Sequence, residues 1–330
     1  YFLIFLIIIF SNKQFNFKMN DLTFSGDGSI STENNIKSLI LKIFILYSTL
    51  SFVIFIFLNL SEVRMFNSLN LSMSLISNGG FLPTNTLNKI IQTNLQKIIF
   101  IFSLLISMLN FFLILNIFKN KILTREHKED LYLLILAVIF ILLIYFNENM
   151  GIETIISIIS SLSNSGLSLI NEGNNLSLYF LLIACIGGSV ISNSSGIKLV
   201  RFYILTKTTG AEIIKLISPN SVVNRNMYAT GKKITDDNIK NSFLIFISFF
   251  ISIFILSGIL IVDDINFENS FKLSILTITN TTISGMFGIE NMNFSNLLTT
   301  SKVSLIMFMI IGKIELISIF LIIKKLFFKD

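Results

Sequence analysis

The chain has no tryptophan, one cysteine, one histidine and two prolines among its 330 residues, and only 13% of them are charged. Each shortage removes a class of protein. A lone Cys185 rules out an internal disulfide framework and a cysteine-built zinc site. A lone His127 removes most histidine-based metal and catalytic centres. Its neighbours Lys119, Lys121, Arg125, Lys128, Glu129 and Asp130 assign it to a solvated loop. A water-soluble domain carries about 25% charged residues. This chain is 53% apolar with a mean hydropathy of +0.79, so it cannot cover itself with polar surface. Lipid must cover it. Without Trp, an interfacial aromatic belt must rely on the seven Tyr. The net charge of +6 sits mainly in a few loops. That suits a membrane protein under the positive-inside bias better than a nucleic-acid binder.

A spanning helix needs about 20 apolar residues. Segments 38–60, 95–118, 131–147, 177–205, 239–262 and 301–328 approach or meet that length. A seventh run, 1–10, reads as the end of a helix already under way, and the expectation is a missing N-terminal part. Both prolines, Pro83 and Pro219, fall in connections.

Between these spans lie semi-polar stretches too short to cross. Residues 64–77 end at Asn78-Gly79-Gly80-Phe81, residues 152–165 at Gly166-Leu167, and residues 268–282 at Ile283-Ser284-Gly285. Segments of about 10–14 residues suit re-entrant half-helices. The chain therefore repeats one unit: long apolar helix, Ser/Thr/Asn-rich half-helix, small-residue turn, long apolar helix. Internal repetition sets a fold. Three units are visible, and the run 1–10 stands where an earlier unit would end. Four such units around one axis would close a pore.

Charge tests this topology independently. The connections 118–130 and 198–240 and the C-terminal tail are rich in Lys and Arg. The half-helix side carries Glu148, Glu153, Glu172, Asp263, Asp264, Glu268 and Glu290 against Lys272 and Lys302. The unit connections are therefore expected on the cytoplasmic side and the half-helix mouths outside. An acidic mouth also concentrates cations.

Irregular backbone at membrane depth is tolerated where it is buried in protein or lines water. Its carbonyls can replace an ion's hydration shell. The expected filter linings are Ile76, Ser77, Asn78, Gly79 and Gly80; Ser163, Asn164, Ser165 and Gly166; and Thr281, Thr282, Ile283 and Ser284. The half-helices point their partly negative C-termini at the same spot, which favours a cation. The segment 187–196 interrupts the long span 177–205 with Gly187, Gly188, Ser192, Asn193, Ser194, Ser195 and Gly196. A polar, non-helical stretch there reads either as a kink or tight helix crossing at Gly187-Gly188 or as a gate beneath the pore. Lys313 lies midway between Lys302 and Lys324, about 16 Å from each at the helical rise. At that depth it costs about 2.5–3.5 kcal/mol, so it should face a water-filled cavity, where it would form an electrostatic barrier against the loop. Glu315 is a poor partner, because residues two apart on a helix do not face each other. Gly26-Asp27-Gly28 lacks the third glycine of a nucleotide fingerprint. No acid, base and nucleophile set points to an enzyme, and no cofactor is expected in this chain.

Three stretches resemble one family. Ser74-Leu75-Ile76-Ser77-Asn78-Gly79-Gly80-Phe81 is similar to the filter of the TrkH/KtrB potassium-uptake superfamily. Gly187-Gly188-Ser189, with Ser195-Gly196-Ile197-Lys198-Leu199-Val200-Arg201, resembles its glycine-rich loop in the third unit. Gly312-Lys313-Ile314-Glu315-Leu316 resembles its Gly-Arg-Leu-Glu-Leu stretch and points to the TrkH branch. The resemblance implies an all-α polytopic membrane protein with pseudo-fourfold repeats of helix, pore half-helix with filter loop, and helix around a central pore. It divides the chain into 1–37 (end of repeat 1), 38–118 (repeat 2), 119–205 (repeat 3), 206–238 (cytoplasmic connection) and 239–330 (repeat 4). It implies K+ as the transported ion, a homodimer, a cytoplasmic TrkA-type nucleotide-binding regulatory subunit and residence in the inner (plasma) membrane. Channel and symport remain alternatives. Two departures stand out. The third-unit loop has Ser192, Asn193, Ser194 and Ser195 where the family has more glycine. The last filter has Ser284 where the family has Gly, unless Gly285 takes that place. Sodium permeation and a non-conducting member of the superfamily therefore stay open.

Overall fold

The structure, a computed structural model, describes residues 33–84, 86–110, 113–114, 128–145, 151–170, 176–190, 192–218, 234–289, 294 and 297–314. The run 1–10, the loop at Gly26, His127, Glu148, Glu172, Glu290, Glu315 and the basic tail lie outside these residues, as does much of both basic connections.

Every regular element among the described residues is helical. In order they are α1 Glu33–Leu60, α2 Met65–Ser77, α3 Asn94–Met108, α4 Lys128–Tyr145, α5 Ile152–Ser163, α6 Ser177–Ile186, α7 Leu199–Ile217, α8 Asp236–Ile261, α9 Phe267–Ile278 and α10 Thr299–Ile314. Two single 3-10 turns, Leu87–Lys89 and Gly285–Phe287, lie in connections. The expected half-helices appear as α2, α5 and α9. Each packs against the long helices before and after it: α2 against α1 and α3, α5 against α4 and α6, α9 against α8 and α10. Contacts of α3 with α5 and of α6 with α9 join one unit to the next.

Polarity is inverted relative to a soluble bundle. Phe52, Phe57, Phe102, Val138, Leu143, Phe254 and Ile306 are exposed on the long helices. The half-helices are packed inside and bury hydroxyls: Ser68, Ser72, Ser157, Ser160, Ser161, Ser270, Ser274 and Thr277. These hydroxyls are satisfied locally, as in Ser72 to Leu69 O, Ser161 to Ser157 O and Thr277 to Leu273 O. Hydroxyls that return to their own helix backbone can be buried without long-range partners, and small side chains let helices approach closely. Among the described helices Asp236–Ile261 is long and apolar enough to cross a bilayer by itself, while Phe44–Leu60, Asn94–Met108 and Ser177–Ile186 are apolar but shorter.

Helix ends follow local chemistry. Thr93 and Gln96 form a reciprocal capping box at α3, and the Thr235 hydroxyl accepts from Asn238 N at the start of α8. Two lengths differ from expectation. The span beginning near residue 95 leaves helical geometry at Leu109, because Asn110 N turns away to donate to Asp130 Oδ1 at 2.8 Å. The helix after the 187–198 break runs on to Ile217, past the boundary at 205, since 206–217 holds no proline and its one glycine, Gly210, has open space around it.

Candidate functional site

The three half-helices end in the same way. Asn78, Asn164 and Asn280 adopt left-handed backbone with φ of 51, 61 and 51°. Asparagine tolerates this region better than other side chains. Each Asn amide donates to the carbonyl three residues back, at Leu75, Ser161 and Thr277. Each following amide reaches five residues back: Gly79 to Ser74, Ser165 to Ser160, Thr281 to Leu276. This double bond pattern is a Schellman-type C-cap. It puts the three turns in register. Gly80 and Gly166 correspond, with φ of 65 and 72°, and their counterpart in the last unit is Thr282. The alternative between Ser284 and Gly285 is thus replaced by neither. Ser284 lies two residues further on, and Gly285 opens a 3-10 turn. The signal was present as Asn-x-Gly, Asn-x-Gly and Asn-x-Thr, but it takes the left-handed asparagines to show it.

The turns meet. A Cβ on Gly80 would collide with the Ser165 carbonyl oxygen and the Thr282 side chain, and a Cβ on Gly166 would collide with the Thr282 backbone. Thr282 Oγ1 donates to Ser165 O at 2.6 Å. Around them Thr279 and Thr281 share a 2.8 Å hydroxyl contact, as do Ser160 and Ser165 at 2.9 Å. Two of the left-handed asparagines hold their turn to the next long helix: Asn164 Nδ2 donates to Ala184 O at 2.7 Å, and Asn280 Nδ2 to Met309 O at 2.9 Å. Asn78 is buried, and neither atom of its side-chain amide has a hydrogen-bond partner among the described residues. Gly312 lets α10 lie directly on the Ile278 carbonyl, where a Cβ would clash.

Beneath the turns lies the interruption between α6 and α7. Gly187 and Gly196 take φ of 71 and 87°. Ile197 N donates to Cys185 O and Lys198 N to Ile186 O, so the chain leaves the helix and returns to it within one excursion. Inside it, Gly188 N donates to Ser194 Oγ at 2.9 Å, and the Ser192 and Ser194 hydroxyls lie 2.7 Å apart. Ser195 is buried, and its carbonyl occupies the space a Gly187 side chain would need. Asn193 Nδ2 donates to Ile76 O at 2.5 Å, and Lys313 Nζ donates to Asn193 O at 2.6 Å. The structure therefore brings Lys313, the loop and the second-unit turn together. Ile283 is exposed and Ser284 caps the 3-10 turn Gly285–Phe287, while Ser77 and Ser163 are the last helical residues of α2 and α5.

Four other residues hold this assembly and were not singled out as site residues. Tyr47 Oη on α1 donates to Ile76 O at 3.2 Å. Glu129 Oε1 accepts from Val190 N at 2.7 Å, and Asp130 Oδ1 from Asn110 N. Lys198 Nζ donates to Ser194 O. Glu129 and Asp130 were expected in a solvated loop, but they are 4% and 2% exposed. Lys198 and Arg201, expected in a basic cytoplasmic connection, are buried too. The two acids open an apolar helix, which is the sequence signal. Their acceptor role depends on the backbone breaks at 109 and 187, which composition does not reveal. At the other end, Glu153 pairs with Lys97 at 2.9 Å and Glu268 with Lys272 at 2.6 Å, both acids well exposed.

No protein-family profile matches the chain. An uncharacterized cation transporter, MJ1485 of Methanocaldococcus jannaschii, is 26% identical over 303 residues, covering 88% of this chain and 60% of that protein. The Trk system potassium uptake protein TrkG of Escherichia coli is 23% identical over 304 residues, covering 87% of this chain and 61% of that protein. The crystal structure of the potassium transporter TrkH from Vibrio parahaemolyticus superposes with a TM-score of 0.77 at 18% identity, covering 89% of this chain and 66% of that one. This chain thus spans about three fifths of the length of the curated relatives it matches. The all-helical polytopic fold expected from the resemblance is the fold observed.

Proposed function

We infer, from the likeness in fold to TrkH and in sequence to TrkG and a cation transporter, that this chain is the pore-forming part of a monovalent-cation uptake system of the TrkH/KtrB superfamily. Potassium is its principal ion in this reading. The observation that carries it is the meeting of Gly80, Gly166 and Thr282 at the ends of three inward half-helices. Backbone carbonyls gathered at partly negative helix termini give a dehydrated cation a substitute for its water shell. The filter comprises Ile76 to Gly80, Ser163 to Gly166 and the turn after α9 from Thr281, and the segment 187–196 with Lys313 is the gate. In this reading the driving force is the membrane potential, about 2.3 kcal/mol per charge per 100 mV, or a coupled ion gradient. A homodimer in the inner membrane with a cytoplasmic nucleotide-binding subunit is the assembly this reading carries.

Thr282 supports a second reading. Where two units have glycine, this one inserts a hydroxyl and a methyl into the junction and bonds a carbonyl that a cation would use. That favours a sodium-permeable or poorly conducting member. Expression of the complete gene in bacteria lacking potassium uptake, with rubidium and sodium influx measured in parallel, separates the readings. Rubidium influx and growth at low potassium support the first. Sodium influx without rubidium supports the second. No flux of either ion overturns both conducting readings.

A further inference from the structure

The carbonyl of Ile76 is in an unusual position for the second residue from a helix end. The carbonyls before it, at Ser74 and Leu75, are taken by the cap amides of Gly79 and Asn78. No backbone amide among the described residues reaches Ile76 O. The last carbonyls of a helix have no partner of their own helix, and carbonyls of that kind can serve as cation ligands. Yet Ile76 O is not left for an ion. It accepts from Asn193 Nδ2 at 2.5 Å and from Tyr47 Oη at 3.2 Å. A carbonyl oxygen has two lone pairs, and both are occupied. At its counterpart in the last unit, Ile278 O, the neighbour is Gly312, which offers no side chain. The bond from the loop is made to the second unit.

Asn193 is itself held from behind. Lys313 Nζ donates to its backbone oxygen at 2.6 Å, and its flanking residues are bound within the loop through Ser192 and Ser194. One residue therefore joins the gate segment, the cation of α10 and a carbonyl of the filter.

We propose that Asn193 competes with the permeating cation for the Ile76 carbonyl, so that an ion in the innermost filter position and a seated loop exclude each other. The proposal rests on the pore reading above. Its consequence is thermodynamic. If seating the loop removes a ligand from the inner site, then filling that site must unseat the loop by the same factor. The gate then does more than obstruct: it responds to the ion, and Asn193 is the positioning residue through which it does so. A neutral intramolecular hydrogen bond contributes about 0.5–1.5 kcal/mol, which corresponds to roughly two- to tenfold in cation affinity.

The test uses the full-length protein in detergent and in liposomes, with rubidium as the probe. Rubidium affinity is measured by calorimetry for the wild type, Asn193→Ala, Asn193→Gln and Tyr47→Phe. Loop position is read from the rate of thiol labelling at Ser192→Cys in a Cys185→Ser background, with and without rubidium. The expected result is that Asn193→Ala binds rubidium two- to tenfold more tightly, that Asn193→Gln, which keeps a donor, lies nearer the wild type, and that Tyr47→Phe also tightens binding. Labelling of Ser192→Cys should accelerate with rubidium when Asn193 is present, and should be fast and rubidium-independent when it is Ala. Unchanged affinity in Asn193→Ala, or labelling insensitive to rubidium with Asn193 in place, overturns the proposal while rubidium flux in liposomes leaves the pore reading intact. Absence of both rubidium binding and flux in every form overturns both.

Discussion

The hydroxyl of Thr282 donates to the carbonyl of Ser165 across the seam between two repeats, at 2.6 Å. The bond exists because Gly80 and Gly166 leave room for one side chain among three turns. Thr282→Gly removes the plug and frees the carbonyl. The expected outcome is a wider junction, with rubidium and caesium influx rising relative to sodium, while Thr282→Ser keeps the donor and stays close to the wild type. Equal ion ratios for all three forms would show that the side chain does not shape the pathway.

The glycines themselves are predicted to be intolerant, for two separable reasons. Gly80 and Gly166 have positive φ, which costs a residue with a Cβ about 1–2 kcal/mol. Their missing Cβ atoms would also overlap neighbouring backbone, which cannot move aside cheaply. Gly80→Ala and Gly166→Ala should each lower the melting temperature of the purified protein and abolish rubidium uptake. Gly79→Ala is the contrast. Its φ is not positive, and a Cβ there would meet the ends of Ser77 and Phe81 at 3.0 and 3.2 Å. It should retain most stability and part of the uptake.

These residues also show what the sequence made legible. Half-helices 64–77 and 152–165 could be placed to within two residues, because length and hydroxyl content set them apart from spanning helices. The filter register of the last unit could not. Ser284-Gly285 looks like the small-residue turn, whereas the backbone turns earlier, at Asn280. A motif search weighs glycine, but the physical requirement was for a left-handed cap, which asparagine also meets. The acids at 129 and 130 were missed for a related reason. Their partners are backbone amides at Val190 and Asn110, exposed only where two helices break. Unpaired amides leave no mark in composition.

Lys313 was expected to oppose the loop, and its Nζ bonds the Asn193 carbonyl. Lys313→Met keeps the length and apolar volume of the side chain but removes both charge and donor. The expected outcome is raised basal rubidium leak in liposomes with little loss of expression. Lys313→Arg, which retains charge and donors, should leak far less. Leak unchanged in Lys313→Met would remove Lys313 from the gate.

Two glutamates make opposite predictions from opposite surroundings. Glu153 is about half exposed and pairs with Lys97. Exposed pairs contribute about 0–1 kcal/mol, so Glu153→Gln should leave the melting temperature nearly unchanged. Glu129 is buried, accepts from Val190 N, and lies in the field of Lys198 and Arg201. Glu129→Leu leaves a buried amide unpaired, at about 1–3 kcal/mol, and removes the carboxyl group that faces Lys198 and Arg201. It should lower stability and loosen the loop, seen as faster thiol labelling at Ser192→Cys. Glu129→Gln keeps an acceptor for Val190 but cannot ionise. If it behaves like the wild type, the hydrogen bond is what matters; if it behaves like Glu129→Leu, the ionisable carboxyl facing Lys198 and Arg201 is what seats the loop.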